Sequence, residues 1–183
     1  MTTNLNDLTG TWTLDDTHTR LGFVTRHAMI TKVRGSFNDF TGTVTVPEAG
    51  ISGAEAKVTI NATSIDTRNA DRDGHLKSND FFDMETYPEL TFVSTSIAAN
   101  GDGGVDVTGD LTIKGNTKSI TIPFDYEGTA TDPFGNLRAG FEGKTVIERK
   151  DFDLTWNAAL ETGGVLVSEK VTLEIEVSAI KTA

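Results

Sequence analysis

Apolar and polar residues alternate along most of the chain from Gly10 onward. Residues 19–27 show the pattern clearly, with Leu21 and Phe23 on one face and Arg20 on the other. The same period of two runs through residues 11–15, 54–63, 90–97, 105–113, 120–126, 137–148 and 165–177. Such alternation is typical of strands that bury one face. It predicts a chain built mainly from antiparallel β-strands.

Glycines and turn signals divide this pattern into elements. Residues 32–46 form one alternating run that contains Gly35 and Gly42. At about 3.3 Å per residue this run would span about 50 Å, so we predict a long strand that bends or bulges at a glycine. The sequence NGDGG at residues 100–104 signals a turn, and the following runs predict a meander. The whole pattern predicts eight or nine strands and one helix.

One stretch, residues 68–83, does not follow the strand pattern. It reads RNADRDGHLKSNDFFD and combines charged residues with two adjacent phenylalanines. Asp66 or Thr67 can cap the N-terminus of a helix of about ten residues here. We predict a short polar helix over the mouth of the β-structure.

Strands with one apolar face can close as a two-sheet sandwich or as a barrel, and the pattern alone does not separate the two. A barrel of about eight strands is just wide enough to be filled by side chains or to hold one small ligand. Several small residues fall at inward positions, which favours internal space over a filled core. They are Ala56, Ala62, Gly109, Ala139 and Gly143.

Composition narrows the functional classes. A length of 183 residues is typical of one β-domain. The net charge of −11 argues against nucleic acid and against long-range attraction to anionic membrane surfaces. The absence of cysteine excludes disulfides and thiolate chemistry. No apolar run approaches the roughly 20 residues of a transmembrane helix, and the first residues do not resemble a signal peptide. We therefore expect a cytoplasmic protein, or a periplasmic or secreted one only if a leader was removed.

The candidate polar chemistry centres on three histidines, His18, His27 and His75, together with Arg72 and Asp73. Three interpretations stay open for them: binding of a ligand head group, a structural network, or acid–base catalysis on a lipid-like substrate. The histidines lack metal-ligand spacing, so no metal site is predicted. No GxSxG motif is present either.

Several motifs resemble the YceI-like family of lipid-binding proteins. They are WTLDDTHTRLGF at residues 12–23, TRH at 25–27, KVRGSFNDFTG at 32–42, SIDTRNADRDGHLKSNDFFDMETYPELTF at 64–92, TGDLTIKG at 108–115 and ERKDFDLTWN at 148–157. The resemblance implies an all-β fold: an elongated eight-stranded antiparallel lipocalin-like barrel over residues 10–183, after an N-terminal extension of residues 1–9. It also implies non-catalytic binding, storage or transport of a polyisoprenoid, an isoprenoid quinone, or a fatty acid or fatty amide. Apart from such a bound lipid, the resemblance implies no cofactor.

The motif and the strand pattern together supply the site residues. The family motif maps onto His18, His27, Arg72, Asp73, His75, Leu76, Phe81 and Phe82, with His18 and Asp73 expected as polar residues of the mouth. Strand parity adds Phe23, Phe37, Ile60, Phe92, Leu111, Ile113, Phe124, Phe141 and Ile147 as ligand-binding residues of the tunnel wall. Asp153 stands where the family pattern has glycine, and aspartate tolerates a positive φ better than most residues. Edge strands of an incompletely closed barrel could pair to form a homodimer.

Overall fold

The computed structural model describes residues 4–161 and 163–183 of the chain. The strands are β1 Gly10–Leu14, β2 Arg20–His27, β3 Thr31–Phe37, β4 Phe40–Val46, β5 Glu55–Asn61, β6 Ile65–Asp66, β7 Glu89–Ala99, β8 Val105–Ile113, β9 Asn116–Thr131, β10 Leu137–Glu148 and β11 Lys170–Lys181. Within the described residues, one α-helix, α1, spans Ala70–Lys77. Four short 3-10 helices in the same ranges span Leu5–Leu8, Ile51–Gly53, Ala62–Ser64 and Arg149–Phe152.

Hydrogen bonds close the sheet into a ring. Eight strands follow one another in the order β1, β4, β5, β7, β8, β9, β10 and β11, and β11 pairs again with β1. At the closure Trp12 lies opposite Lys181, and Leu14 lies opposite Ala179. The other three strands extend the barrel wall. β2 pairs with β11 beyond the end of β1, β3 pairs with β2 beyond β4, and β6 pairs with β3 beyond β5. The predicted eight-stranded antiparallel barrel is confirmed, whereas the homodimer stays a prediction.

The alternating pattern decides which residues face inward. In β8 the inward residues Val105, Val107, Leu111 and Ile113 are buried, while Asp110 between them is exposed. β8 pairs with β7 on one side and with β9 on the other, as the predicted meander requires. Each strand thus contributes one apolar row to the interior of the barrel.

The long strand predicted over residues 32–46 is in fact two strands, β3 and β4, which separate at Asn38 and Asp39. The prediction of a bend or bulge at a glycine was therefore wrong. Gly35 and Gly42 have another function, because a Cβ atom at either position would collide with the side chain of Phe23 or Leu14. These glycines let large side chains lie directly against the sheet.

Two further boundaries differ from the predictions. The last strand covers Lys170–Lys181 and not residues 165–177. Val165 and Val167 form only isolated bridges, because the ladder with β10 starts at the pair Glu148 and Lys170. The helix has eight residues, and Asn69 caps it by accepting a hydrogen bond from the Arg72 backbone N–H. The predicted caps, Asp66 and Thr67, lie before this position.

The barrel has two different ends. At the far end, the 3-10 helices Leu5–Leu8 and Ile51–Gly53 pack together, and the Trp12 indole N–H donates to the Leu8 carbonyl at 2.7 Å. The opposite end, the mouth, is covered by α1 and by the mouth loop, residues 149–161 and 163–169. None of the helices among the described residues has the length and apolar content needed to cross a bilayer.

Candidate functional site: an apolar tunnel with a polar mouth

A cavity of about 610 Å³ occupies the barrel interior. Its wall at the far end includes Val44, Ile97 and Val105, and its wall at the mouth includes His27 and Trp156. Nearly every side chain between these two ends is aliphatic or aromatic. The volume lies within the range of about 300–1,000 Å³ that small-molecule sites occupy. The barrel is therefore hollow, and its shape is that of a tunnel.

All fifteen residues predicted to bind a ligand border this cavity. They are Phe23, His27, Phe37, Ile60, Arg72, His75, Leu76, Phe81, Phe82, Phe92, Leu111, Ile113, Phe124, Phe141 and Ile147. Strand parity predicted these positions correctly. The extra residues of the two bulges are Thr95 in β7 and Glu127 in β9, and neither is a predicted position. Their contact with a ligand stays a prediction.

The small inward residues do not all create space. Of the five, Ala56 borders the cavity, whereas Ala62 and Ala139 are buried within the packed wall. A Cβ atom at Gly109 or Gly143 would collide with the ring of Phe92 or Phe124. These two glycines make room for rings that lie flat on the strand, so the tunnel owes its width to the barrel radius and not to missing side chains.

A hydrogen-bonded network ties the start of α1 to the preceding chain. The Asp73 carboxylate accepts from the backbone N–H of Thr67 at 2.9 Å and from its hydroxyl at 2.5 Å. Arg72 donates through Nε to the Thr67 hydroxyl at 2.7 Å and through a terminal nitrogen to the Thr67 carbonyl at 2.6 Å. Thr67 is buried, so this network anchors the helix. Asp73 does not border the cavity, whereas Arg72 does.

An aromatic cluster, formed by His75, Phe81 and Trp156, lies at the mouth. The His75 ring lies edge-on to Trp156 at 4.7 Å and to Phe81 at 5.1 Å between ring centroids. His75 Nε2 lies 2.8 Å from an oxygen of Asp80, which orients the ring. Side chains such as those of His75 and Trp156 combine an apolar ring with polar ring nitrogens, so the cluster offers a ligand both kinds of contact.

The three histidines do not converge. His27 and His75 border the cavity, but His18 lies in the exposed turn between β1 and β2. There its Nδ1 lies 2.7 Å from the Asp15 carboxylate, which also accepts a hydrogen bond from the Arg138 guanidinium at 2.6 Å. The expectation that His18 belongs to the mouth was therefore wrong. Among the described residues, no group of three or more potential ligands could hold a metal ion.

Arg149 organises the mouth loop, although the sequence analysis assigned it no function. Its guanidinium donates to the backbone carbonyls of Ser168 at 2.8 Å, Leu154 at 2.6 Å, Trp156 at 3.2 Å and Val167 at 3.3 Å. Burial of this cation lowers the pKa of Arg149. The side chain therefore holds both segments of the loop, the one that contains Trp156 and the one that contains Val167 and Ser168, over the mouth. The sequence carries two signals of this segment: the alternation stops after residue 148, and the family motif ERKDFDLTWN covers residues 148–157.

A model of the YceI-like domain matches residues 12–179. The chain belongs to the YceI-like domain family. A UPF0312 protein of Vibrio parahaemolyticus is 42% identical over 137 residues, which cover 75% of this chain and 72% of that protein. This confirms the resemblance seen in the sequence motifs.

Solved structures show the same barrel. The crystal structure of BcnA from Burkholderia cenocepacia superposes with a TM-score of 0.78 at 27% identity, covering 90% of this chain and 98% of BcnA. A polyisoprenoid-binding domain from Saccharophagus degradans superposes with a TM-score of 0.67 at 18% identity, covering 93% of this chain and 98% of that domain. At this identity the second likeness shows the fold alone.

This YceI-like domain departs from the family pattern at Asp153, which follows the 3-10 helix Arg149–Phe152. Its φ is 58° and its ψ is 30°, a left-handed conformation. The position does have a positive φ, and aspartate adopts it with the barrel intact, as its tolerance of this conformation allows. The backbone N–H of Asp153 donates to the carbonyl of Lys150, so the residue ends the helix and turns the chain toward the mouth.

Proposed function

We propose that this protein binds and carries a long amphiphilic lipid, a polyisoprenoid or an isoprenoid quinone, and that it does so without catalysis. The observation that carries the proposal is the apolar tunnel with polar groups at one end only. A bound chain would lie along the tunnel with its head group at the mouth. The barrel shared with a polyisoprenoid-binding domain supports the same ligand class.

Burial of the tail supplies the affinity. Each five-carbon isoprenoid unit gains about 4 kcal/mol on transfer from water, at about 0.8 kcal/mol per carbon group. Ordering of a flexible chain offsets part of this gain. The aromatic rings along the wall, among them Phe92, Phe124 and Phe141, offer flat surfaces for branched and unsaturated units. The tunnel therefore favours a hydrocarbon over a polar substrate.

The mouth supplies the polar contacts. Arg72 and His75 border the cavity and can donate hydrogen bonds to a quinone carbonyl or to a polar head. A fatty acid is the second candidate, because the Arg72 cation at the mouth suits a carboxylate. Enzymatic use of this cluster is less well supported. Asp73 accepts hydrogen bonds from Thr67 and contacts no histidine, and the carboxylate that orients His75 is that of Asp80.

Native mass spectrometry of the freshly purified protein, followed by organic extraction, tests the proposal directly. We expect a discrete adduct whose extracted mass is that of a hydrocarbon-rich lipid. A delipidated sample should take up a polyprenyl compound or a quinone added in detergent micelles. If neither the native nor the delipidated protein holds any lipid, the proposal is wrong.

Shortening the tunnel provides a sharper test. Ala56 lies near the far end of β5 and borders the cavity, so Ala56→Trp should fill the deep part of the tunnel. We expect this variant to bind short-chain analogues normally and to lose long ones, since each excluded isoprenoid unit forfeits about 4 kcal/mol before chain ordering is considered. The matched control is Lys57→Trp, which places the same ring on the outer face. Equal chain-length profiles for the two variants would argue against tail burial.

A further inference from the structure

The hairpin between β2 and β3 exposes two large apolar side chains at the mouth end of the barrel. Met29 is 57% exposed and Ile30 is 76% exposed. The hairpin tip, residues 28–30, directly follows His27, which borders the cavity. The Ala28 backbone N–H donates to the carbonyl of Leu166 at 2.7 Å, and Leu166 also borders the cavity. The apolar tip therefore stands beside the tunnel entrance.

The turn at this tip is strained. Ala28 and Met29 have φ values of 51° and 64°, and the Ile30 N–H donates to the His27 carbonyl at 3.1 Å. A tight turn whose two central residues both have a positive φ is normally built from Asn-Gly, because other L-residues are disfavoured there. The chain has neither residue at this turn. Strain of this kind persists at positions where a side chain has a function, and here it presents Met29 and Ile30 to solvent.

A basic patch adjoins the tip on the outer face of the barrel. It consists of Arg26, Lys32, Arg34, Lys144 and Lys170, all exposed, on β2, β3, β10 and β11. Arg26 pairs with Lys32 across the hairpin, and its guanidinium reaches the Ile30 carbonyl at 3.4 Å. The exposed Val146 also borders this surface.

Few carboxylates neutralise the basic patch. Glu174 lies 3.9 Å from Lys144. Glu148 lies opposite Lys170 in the ladder, but its carboxylate pairs with Lys150 at 3.0 Å. Within residues 4–161 and 163–183, the other four cations of the patch have no ion-pair partner. Screening limits electrostatic attraction to about 8 Å at physiological salt. A charged surface close to the tip therefore interacts with this patch, and the net charge of −11, which is spread over the whole protein, has little effect on it.

We propose that the hairpin tip and the basic patch dock this protein onto the surface of an anionic phospholipid bilayer, with Met29 and Ile30 inserted among the acyl chains. The inference rests on the proposed lipid-carrier function, and it supplies the step by which the tunnel meets its ligand. Apolar side chains next to a cluster of lysine and arginine are the chemistry that binds an anionic membrane interface. The net charge argued against long-range attraction to such a membrane; the structure concentrates unpaired positive charge at one place beside the mouth.

Vesicle co-sedimentation tests the docking surface without any isoprenoid present. The wild-type protein should bind phosphatidylcholine vesicles that contain phosphatidylglycerol, bind pure phosphatidylcholine much less, and lose binding at high salt. Lys32→Glu with Lys170→Glu should weaken binding roughly 25-fold or more, since each cation near an anionic surface contributes roughly fivefold. The control, Lys57→Glu with Lys181→Glu, makes the same change in net charge at exposed positions away from the patch and should weaken binding far less.

A second variant separates docking from folding. Ala28→Asn, Met29→Gly and Ile30→Thr together replace the strained tip by a relaxed turn, so this variant should melt at a higher temperature and yet bind anionic vesicles less. Phe134→Thr is the matched control, because Phe134 is 88% exposed in the hairpin between β9 and β10 at the far end. This control should bind vesicles normally.

The outcomes distinguish docking from lipid carriage. Uptake of lipid from detergent micelles should be unchanged in the tip variant, whereas a failure of the carrier function would abolish uptake in the wild type as well. No binding of the wild type to anionic vesicles, or equal binding by the patch variant and its control, would overturn the docking proposal. A dimer in solution that the tip variant abolishes, without vesicle binding, would assign the tip to contact between two copies and would also overturn it.

Discussion

Replacing Arg149 by methionine tests whether one buried cation organises the mouth loop. Methionine keeps an unbranched apolar stem but removes all four hydrogen bonds to the carbonyls of Ser168, Leu154, Trp156 and Val167. Glu169, whose negative charge acts on Arg149, is exposed, so the substitution leaves no buried charge behind. Its cost should therefore come from the unpaired carbonyls.

The magnitude follows from the geometry. Two of the four bonds, at 2.6 and 2.8 Å, are short, and hydrogen bonds from a charged donor contribute about 1.5–3 kcal/mol each. The desolvation that lowers the pKa of Arg149 opposes part of this gain. We expect a net loss of about 2–4 kcal/mol in the free energy of unfolding. At roughly 2–4 °C per kcal/mol for a chain of this size, the melting temperature should fall by about 4–16 °C.

Thermal unfolding followed by circular dichroism measures this loss. Tryptophan fluorescence reports on the loop through Trp156, because the second tryptophan, Trp12, is buried at the far end in both proteins. The Trp156 emission should shift to longer wavelength in Arg149→Met, because the indole is released into water. The control is Lys150→Met, which removes only an exposed ion pair with Glu148 and should cost less than about 1 kcal/mol. Equal melting temperatures for the two variants would refute the assigned function of Arg149.

Two further predictions concern charge and backbone conformation. The Arg138 guanidinium holds the pKa of the Asp15 carboxyl well below its usual 3.8, so this pair stabilises the folded state above about pH 4 and the contribution is lost as the pH falls below that value. Asp15→Asn should lower stability at pH 7 and flatten the acid-unfolding curve, and an unchanged curve would contradict the pairing. Asp153→Gly should raise the melting temperature by a few degrees, because a left-handed conformation costs an L-residue roughly 1 kcal/mol that glycine avoids. A lower melting temperature would show that the Asp153 contact with Lys114 at 3.7 Å outweighs the strain.

Local sequence patterns were sufficient to predict which residues face the barrel interior, because the direction of a side chain depends only on its position in its own strand. The alternation in β8 assigned Leu111 and Ile113 to the interior, and both border the tunnel. The same reasoning worked for Phe124 and Phe141 on the next two strands. Parity is a property of a single strand, so it can be read without knowing what the strand pairs with.

The mouth loop could not be derived in this way. Trp156 joins His75 and Phe81 only because Arg149 draws residues 149–161 and 163–169 over the barrel end. Arg149 is a charged residue directly after a strand, which by pattern alone is typical of a solvated end. Its burial depends on carbonyls that are up to 19 positions away in sequence, and no local pattern encodes such a contact.

The sequence by itself determined that this protein is an antiparallel barrel of the YceI-like family with an apolar interior, because period-two alternation and short motifs are local properties. Only the tertiary structure decided that the interior is hollow, that His18 is remote from His27 and His75, and that β11 begins at Lys170. It also brought the cations of β2, β3, β10 and β11 beside one apolar hairpin tip. Each of these features depends on which strands become neighbours, and closure of the ring between β1 and β11 sets that order.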